Sequence, residues 1–322
     1  MESPAPTAML PILTLTVNPA LDASTVTDQV IGEHKLRCHT GRLDPGGGGV
    51  NVARVVHRLG GQTIAAYTAG GPTGEAYRRL VEAERIPTLV VPISGSTRQN
   101  FTVDETSTGK QFRFVLEGPE LSEPEWRGCL AVVAECVPAG GYVVASGSLP
   151  KGVPDDFYAR VARLANERGA RCIVDASGAP LAAALTEGVF LVKPSRRELG
   201  AHFGRTLDSE ESQVEAASSL VADGSSHHVA LTLGGEGAVL ASQTGVLRLT
   251  VPHVQVRSTV GAGDSFLAAF VLRMAQGRSL QDAFRAAVAA GTATVTTTAT
   301  ELCSRADVER LEAELAAQAL EP

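Results

Sequence analysis

Asp264 stands at the start of an apolar helical pattern, directly after the turn Gly261-Ala262-Gly263. A glycine turn that opens a helix directs free backbone N–H groups and the positive end of the helix dipole at one point. That point suits a phosphoryl group in transfer, and the adjacent carboxylate can accept a proton from an attacking hydroxyl. The same residues also fit a plain turn with a helix-capping aspartate, so both interpretations stay open from this motif alone.

A second glycine run, Gly46 to Gly49, stands just before Asn51. Glycine lets a backbone approach a ligand closely, and an asparagine side chain offers sugar hydroxyls both a donor and an acceptor. Valines and a leucine at helical spacing follow over 52–59. Because a regular helix follows at once, a ligand loop is favoured over a flexible surface loop.

The bulk properties favour a cytoplasmic α/β enzyme. The chain has 322 residues and a net charge of −7, which argues against nucleic acid or an anionic membrane surface as a partner. Its five cysteines are odd in number and lack zinc-type spacing, so we expect reduced thiols. Neither a targeting segment nor an apolar run long enough to span a bilayer is recognisable.

Two groups of strands are predicted before residue 120. Ile12 to Val17, Asp22 to Thr27 and Lys35 to Cys38 are rich in β-forming residues. Residues 98–104 and 111–116 alternate around a Ser-Thr-Gly turn, which indicates a hairpin. Together with the strands before residue 40, the hairpin is expected to form a small sheet outside the main fold.

The second half of the chain alternates between helical patterns and strand-like runs, which predicts βαβ units and a parallel sheet. The predicted strands are 141–145, 172–175, 190–193 and 229–233, and 304–320 is predicted to be an amphipathic closing helix.

Residues 258–266 and 44–54 resemble the two signatures of the ribokinase-like PfkB carbohydrate kinases. Further stretches resemble the bacterial minor 6-phosphofructokinases within that family; they are 18–22, 32–38, 97–100, 111–115, 146–150 and 302–304. The resemblance implies a doubly wound, mainly parallel α/β sheet with a small β-sheet lid, and a homodimer formed through paired lids. It places one kinase domain at 12–322, with lid strands at about 20–42 and 96–117, and leaves 1–11 disordered.

Site residues are implied by position in the family motifs. On the sugar side they are Asp22, Lys35, Gly46, Gly47, Asn51 and Arg98, with Lys35 reaching across a dimer interface. The guanidinium of Arg98 suits phosphate oxygens, whereas Lys35 fits a solvated lysine on a strand edge equally well. On the nucleotide side they are Lys193, Ser195, Thr232, Gly234, Gly235 and Gly237.

The metal site departs from the family pattern. The family motif N-x-x-E stands here as Ser195-Arg196-Arg197-Glu198. Glu198 can still hold Mg²⁺ through water, and the serine puts metal affinity in question. Some relatives bind K⁺ through backbone carbonyls, which here correspond to Ser258 and Val260 beside the threonine-rich stretch 292–300.

The expected reaction is Mg-ATP-dependent phosphorylation of fructose 6-phosphate at its C1 hydroxyl. Asp264 is expected to be the base, and the N–H groups of Ala262 and Gly263 to stabilise the developing charge. A kinase of the same family acting on fructose 1-phosphate or tagatose 6-phosphate is the first alternative. A catalytically weak sugar-phosphate or nucleotide sensor, suggested by Ser195, is the second, and the intact motif at 261–264 argues against it.

Overall fold

The computed structural model describes residues 9–39 and 41–318 of the chain. They form thirteen strands: β1 Ile12–Thr16, β2 Ala20–Thr27, β3 Arg42–Gly46, β4 Ile64–Ala69, β5 Thr88–Pro92, β6 Arg98–Glu105, β7 Gln111–Phe114, β8 Tyr142–Ser146, β9 Arg171–Asp175, β10 Val189–Val192, β11 Ser226–Thr232, β12 Ala238–Ser242 and β13 Gly245–Leu249. They also form ten α-helices: α1 Gly48–Arg58, α2 Gly71–Ala83, α3 Glu123–Cys136, α4 Phe157–Glu167, α5 Gly178–Leu185, α6 Arg196–His202, α7 Glu210–Ala222, α8 Ala262–Ala275, α9 Leu280–Val295 and α10 Arg305–Gln318.

Nine strands form the main sheet in the order β13-β12-β11-β10-β9-β8-β1-β4-β5. Neighbours from β11 to β5 pair in parallel, and β12 and β13 add an antiparallel edge. The chain builds outward from β1 through β4 and β5, then returns to place β8 on the other side of β1. Open α/β sheets bind ligands at such a reversal, beyond the carboxyl ends of the strands. The predicted doubly wound, mainly parallel sheet is therefore confirmed.

The core lies in two layers, one on each face of the main sheet. Val143 and Ala145 of β8 pack in the layer that includes α3, α4 and α7, whereas Tyr142 and Val144 pack with α8, α9 and α10. This alternation follows from the pleat, which turns successive side chains to opposite faces. Because both faces are covered, the central strands are continuous apolar runs, and this made them recognisable from sequence.

Four strands form the small sheet, in the order β3-β2-β6-β7. β6 and β7 pair antiparallel, which confirms the predicted hairpin, and β2 pairs with β6 in parallel. The strand predicted at Lys35–Cys38 is wrong, because these residues lie in an irregular and largely exposed segment. The free edge of β2 pairs instead with Arg42–Gly46, so the inserted segment extends to Gly46.

The chain ends also bear on the predictions. The closing helix is confirmed as α10, and residues 319 and 320 lie outside the described part of the chain. Of the predicted disordered segment 1–11, residues 1–8 likewise lie outside it. For 9–11 the prediction is wrong: Leu10 N–H donates to Ala275 O at 2.8 Å, and Met9 packs against the core. Among the described residues, no helix combines the length and apolar character needed to cross a bilayer.

Candidate active site

Two cavities meet at the turn that begins α8. The first, of about 690 Å³, lies between the small sheet and the carboxyl edge of the main sheet. The second, of about 600 Å³, lies between the end of β11 and helices α8 and α9. Gly261 and Asp264 line the first cavity, and Ala262 and Gly263 line the second. The glycine turn is therefore a shared wall, and a group held there can be reached from both sides.

The backbone of the turn requires glycine. Gly261 has φ 75° and ψ 0°, in the left-handed region, and a Cβ at this position would lie 2.5 Å from Leu302 Cδ2. The Ser265 N–H donates to Gly261 O at 2.9 Å as the first bond of α8. The N–H groups between these residues thus have no partner within the helix and are available to an anion.

Asp264 is held by a side chain from another helix. Its Oδ2 accepts a hydrogen bond from Asn51 Nδ2 at 2.9 Å, and the N-cap of α8 is Gly261, so the capping interpretation of Asp264 does not hold. Burial raises the pKa of Asp264 to about 6, and the Asp175 carboxylate adds to the rise. The Asn51 hydrogen bond and the Lys193 ammonium oppose it. A carboxylate with this pKa is ionised at neutral pH and is a stronger proton acceptor than an ordinary aspartate.

Lys193 and Asp175 form a buried ion pair beside the turn. The Lys193 Nζ lies 3.2 Å from Asp175 Oδ1, and a Cβ at Gly263 would lie 3.1 Å from that Nζ. Burial by itself would lower the pKa of Lys193, but the carboxylates of Asp175 and Asp264 more than offset this, and its pKa is raised. Lys193 is therefore a fixed cation at the wall between the cavities. Sequence reasoning missed Asp175, whose only signal was its place at the carboxyl end of a buried strand.

The small sheet supplies polar groups to the first cavity. Asp22 Oδ1 accepts from Asn100 Nδ2 at 2.9 Å, and the Arg98 guanidinium donates to Leu116 O and Asn18 O, both at 3.0 Å. Of the residues predicted on the sugar side, Asp22, Gly47, Asn51 and Arg98 line this cavity. Gly46 lies behind Asp22, since a Cβ there would be 1.9 Å from Asp22 Oδ2.

Two further cations of the first cavity were missed. Arg113 of β7 and Lys151 both line it, and Lys151 Nζ lies 2.6 Å from Glu117 Oε2. Arg113 pairs with Thr102 in the β6–β7 register, and Thr102 is four residues from Arg98. Residues two apart along a strand face the same side. From the alternation of side chains along the two strands of the hairpin, Arg113 could therefore have been predicted to lie on the same face of the small sheet as Arg98.

The second cavity collects the predicted nucleotide residues. Ser195, Thr232, Gly234, Gly235 and Gly237 line it, together with apolar side chains; these are Val251, Val254, Val256, Phe266 and Val288. The glycines follow β11 in a turn where Gly237 has φ 103° and a Cβ would lie 2.0 Å from Leu249 O. An apolar slot that opens onto an anion-binding turn fits a nucleotide, because the flat faces of its aromatic base pack against apolar side chains and its phosphates are charged.

The residues predicted for the Mg²⁺ site, for the K⁺ site and for the dimer interface lie in separate parts of the structure. Ser195 and Glu198 cap helix α6 reciprocally: Ser195 N–H donates to Glu198 Oε2 at 2.8 Å and Glu198 N–H to Ser195 Oγ at 3.3 Å. Glu198 lines the first cavity, beside Asp175. Ser258 Oγ donates to Ala299 O at 2.6 Å and accepts from Val260 N–H at 3.2 Å, which holds the two segments of the predicted K⁺ site together. Lys35 is exposed and lines neither cavity.

Known proteins share this architecture over nearly the whole chain. ATP-dependent 6-phosphofructokinase isozyme 2 of Mycobacterium tuberculosis is 44% identical over 310 residues, which cover 96% of this chain and 91% of that protein. The crystal structure of phosphofructokinase-2 from Escherichia coli in complex with potassium superposes on this chain with a TM-score of 0.92 at 40% sequence identity. The crystal structure of the same protein in complex with fructose-6-phosphate superposes with a TM-score of 0.91 at 39% identity. Each superposition covers 96% of this chain and 100% of the Escherichia coli chain. The structure of the tetrameric inhibited form of the Escherichia coli protein superposes on this chain with a TM-score of 0.91, at 40% identity and with the same coverage. A family model described as pfkB family carbohydrate kinase matches residues 16–307. The chain belongs to the pfkB family of carbohydrate kinases.

Proposed function

We propose that this chain is an ATP-dependent 6-phosphofructokinase, which transfers the γ-phosphoryl group of ATP to the C1 hydroxyl of fructose 6-phosphate. The products are fructose 1,6-bisphosphate and ADP. The observation that carries the proposal is the turn 261–263, which separates a polar cavity holding Asp264 from a largely apolar cavity of nucleotide size. A phosphoryl group bound at the turn is accessible to a hydroxyl on one side and remains attached to ADP on the other.

Asp264 acts as the base in this reaction. It takes the proton of the C1 hydroxyl as the oxygen attacks, and its pKa of about 6 keeps it ionised at neutral pH. The N–H groups of Ala262 and Gly263 and the nearby Lys193 ammonium stabilise the negative charge that develops on the transferred group; the position of the Lys193 Nζ, 3.1 Å from where a Cβ of Gly263 would lie, supports this role. Donors placed in advance at such a point stabilise the transition state without having to reorganise.

Arginines in the first cavity select a phosphorylated sugar. Arg98 and Arg113 both line it, and the guanidinium of Arg98 is fixed by two backbone carbonyls. A fixed guanidinium presents its remaining donors to phosphate oxygens at low entropic cost. Asp22 and Asn51, which line the same cavity, are suited to the sugar hydroxyls.

Glu198 and Asp175 are the candidates to hold Mg²⁺. Both carboxylates line the first cavity, and the charge of Glu198 contributes to raising the pKa of Asp175, so the two groups are electrostatically coupled. Hard oxygen ligands with room for water suit Mg²⁺, which usually retains several waters beside one or two carboxylates. When bound, the ion neutralises charge between the phosphates of ATP.

Three further features belong to the same proposal. K⁺ binds backbone carbonyl groups of two segments, one around Val260 and one around Ala299. The hydroxyl of Ser258 joins these segments, because it hydrogen-bonds to Val260 N–H and to Ala299 O. Two copies associate through their small sheets, where Phe114 and Val115 are 51% and 59% exposed, and Lys35 of the exposed loop then approaches the partner's site. The location is cytoplasmic, because charged sugar phosphates and ATP do not cross membranes unaided.

A coupled assay of ADP release tests the proposal. Mg-ATP is supplied with fructose 6-phosphate, fructose 1-phosphate, tagatose 6-phosphate or unphosphorylated fructose, and kcat/KM is compared. We expect the highest value for fructose 6-phosphate and the lowest for fructose.

Each other outcome has a definite meaning. A preference for another phosphosugar refutes the named substrate but leaves the roles of Asp264 and the glycine turn in place. Binding of sugar phosphates without turnover of any of them refutes the kinase proposal and favours a sensor. Equal rates with fructose and fructose 6-phosphate refute the selection by Arg98 and Arg113.

A further inference from the structure

Arg54 is a buried cation in helix α1, only 1% exposed. Its Nε lies 2.9 Å and its Nη2 2.8 Å from Glu84 Oε1, and its Nη1 donates to Pro45 O at 3.0 Å. The same Nη1 donates to Asn51 Oδ1 at 3.4 Å. Burying a guanidinium is costly unless its donors are satisfied, and every nitrogen of Arg54 has an acceptor here. One of these acceptors is the side chain that holds Asp264.

The Asn51 amide lies between two groups of opposite charge. Its Nδ2 donates to Asp264 Oδ2 on one side, and its Oδ1 accepts from Arg54 on the other. A flipped amide would turn its NH₂ group toward the guanidinium, which has no acceptor, and its oxygen toward the carboxylate, which has no donor when ionised. Arg54 therefore allows one orientation of the amide, and that orientation presents a donor to Asp264.

We propose that Arg54 is a positioning residue for phosphoryl transfer, because it fixes the Asn51 amide that holds the Asp264 carboxylate toward the acceptor hydroxyl. The proposal rests on the kinase function above and deepens it. Arg54 lines neither cavity, so it acts through the groups that it contacts. Besides Asn51 and Glu84, these are Pro45 O and, with its Nη2 at 3.6 Å from Asp44 Oδ1, the Asp44 carboxylate, and the double-mutant cycle below separates the effect through Asn51 from the effect through the others.

Arg58 provides a matched control. It lies one turn further along α1 and shares the same partner, with its Nη2 3.2 Å from Glu84 Oε1. Its Nη1 donates to Leu302 O at 2.9 Å instead of Asn51. Arg54→Lys and Arg58→Lys thus perturb the same ion network, and only the first removes a contact to Asn51. A single ammonium cannot reach Glu84, Pro45 O and Asn51 as the guanidinium does.

The test is a double-mutant cycle between Arg54→Lys and Asn51→Ala, with kcat and both KM values measured. Arg54→Lys should lower kcat about tenfold, since small displacements of a reacting group cost that much or more, and should leave the KM for ATP nearly unchanged. In the Asn51→Ala background the same substitution should have no further effect on kcat. Arg58→Lys should leave kcat unchanged. If Arg54→Lys lowers kcat equally in both backgrounds, the proposal is overturned.

The pH profile gives a second readout. The charged groups facing Asp264 are Asp22 from β2, Asp175 from β9 and Lys193 after β10, and the neutral donor is Asn51 from α1. Of these, Arg54→Lys changes only the Asn51 hydrogen bond, which lowers the pKa of Asp264. Its loss should shift the acidic limb of kcat/KM to higher pH. An acidic limb that stays in place contradicts the proposal.

Two provisions keep the test decisive. The Asp264 carboxyl can be titrated by NMR in protein labelled with ¹³C-aspartate and assigned with Asp264→Asn. An unchanged pKa in Arg54→Lys overturns the proposal even if the sugar substrate has been misidentified. If Arg54→Lys does not fold, Arg54→Met with Glu84→Gln removes the buried cation and its half-buried partner together, a change that proteins often tolerate. That double variant should show the same loss of kcat and the same shift of the Asp264 pKa as Arg54→Lys. If its kcat and its Asp264 pKa both equal those of the natural chain, the inference is contradicted.

Discussion

Replacing Asp264 by asparagine is expected to abolish turnover and to stabilise the protein at neutral pH. The folded-state pKa of Asp264 is about 6, against an ordinary value of 3.8. Because the folded pKa is the higher one, the protonated carboxyl favours folding. This contribution is complete below pH 3.8 and is lost as the pH rises through 6. A shift of two units corresponds to about 3 kcal/mol at neutral pH, reduced to about 2 kcal/mol for a side chain in partial contact with solvent.

Asparagine keeps an oxygen that accepts from Asn51 Nδ2 and carries no charge, so it avoids this loss. The difference in unfolding free energy between Asp264→Asn and the natural chain should grow by about 1 to 2 kcal/mol from pH 4.5 to pH 8. Urea denaturation at both pH values measures it, with Asp208→Asn, the same chemical change at an exposed site, as the control. A difference independent of pH would refute the electrostatic reasoning, and retained turnover would refute the assignment of the base.

Three further predictions concern the ligand sites. Gly46→Ala places a Cβ 1.9 Å from Asp22 Oδ2 and should raise the KM for fructose 6-phosphate about tenfold, whereas Gly32→Ala, with no atom within 4 Å, should change neither kinetic constant. Equal kinetics for the two variants would contradict the role of Asp22. Arg98→Lys loses the planar fork and should raise the KM for fructose 6-phosphate about tenfold or more while leaving the rate with unphosphorylated fructose unchanged. Ser195→Asn keeps a helix-capping residue and adds an amide oxygen, so half-maximal rate should be reached at lower Mg²⁺ concentration; an unchanged Mg²⁺ titration would show that the serine does not weaken the metal site.

Local signals account for the parts of the fold and site that were predicted. The central strands were recognised because burial on both faces leaves continuous apolar runs. The hairpin was recognised by its alternation and turn residues. The turn at 261–263 carries its own signal, since a left-handed glycine before a helix is a local requirement of the backbone.

Pairing between distant segments accounts for what was missed. Lys35–Cys38 has a strand-like composition, but the edge of β2 is taken by Arg42–Gly46, and no local pattern decides between two candidates for one edge. Asp175 looked like the last residue of a strand until β10 brought Lys193 beside it.

The sequence by itself predicted the βαβ units, the two glycine motifs and Asp264 as the candidate base, because each of these is a pattern among residues close together in the chain. Only the tertiary structure decided how those residues cooperate. It joined Asn51 to Asp264 across 213 positions and placed the glycine turn between two cavities. It also raised the pKa of Asp264 by burial. Hydrogen bonds, burial and electrostatic coupling depend on distances in space, which the order of residues does not specify.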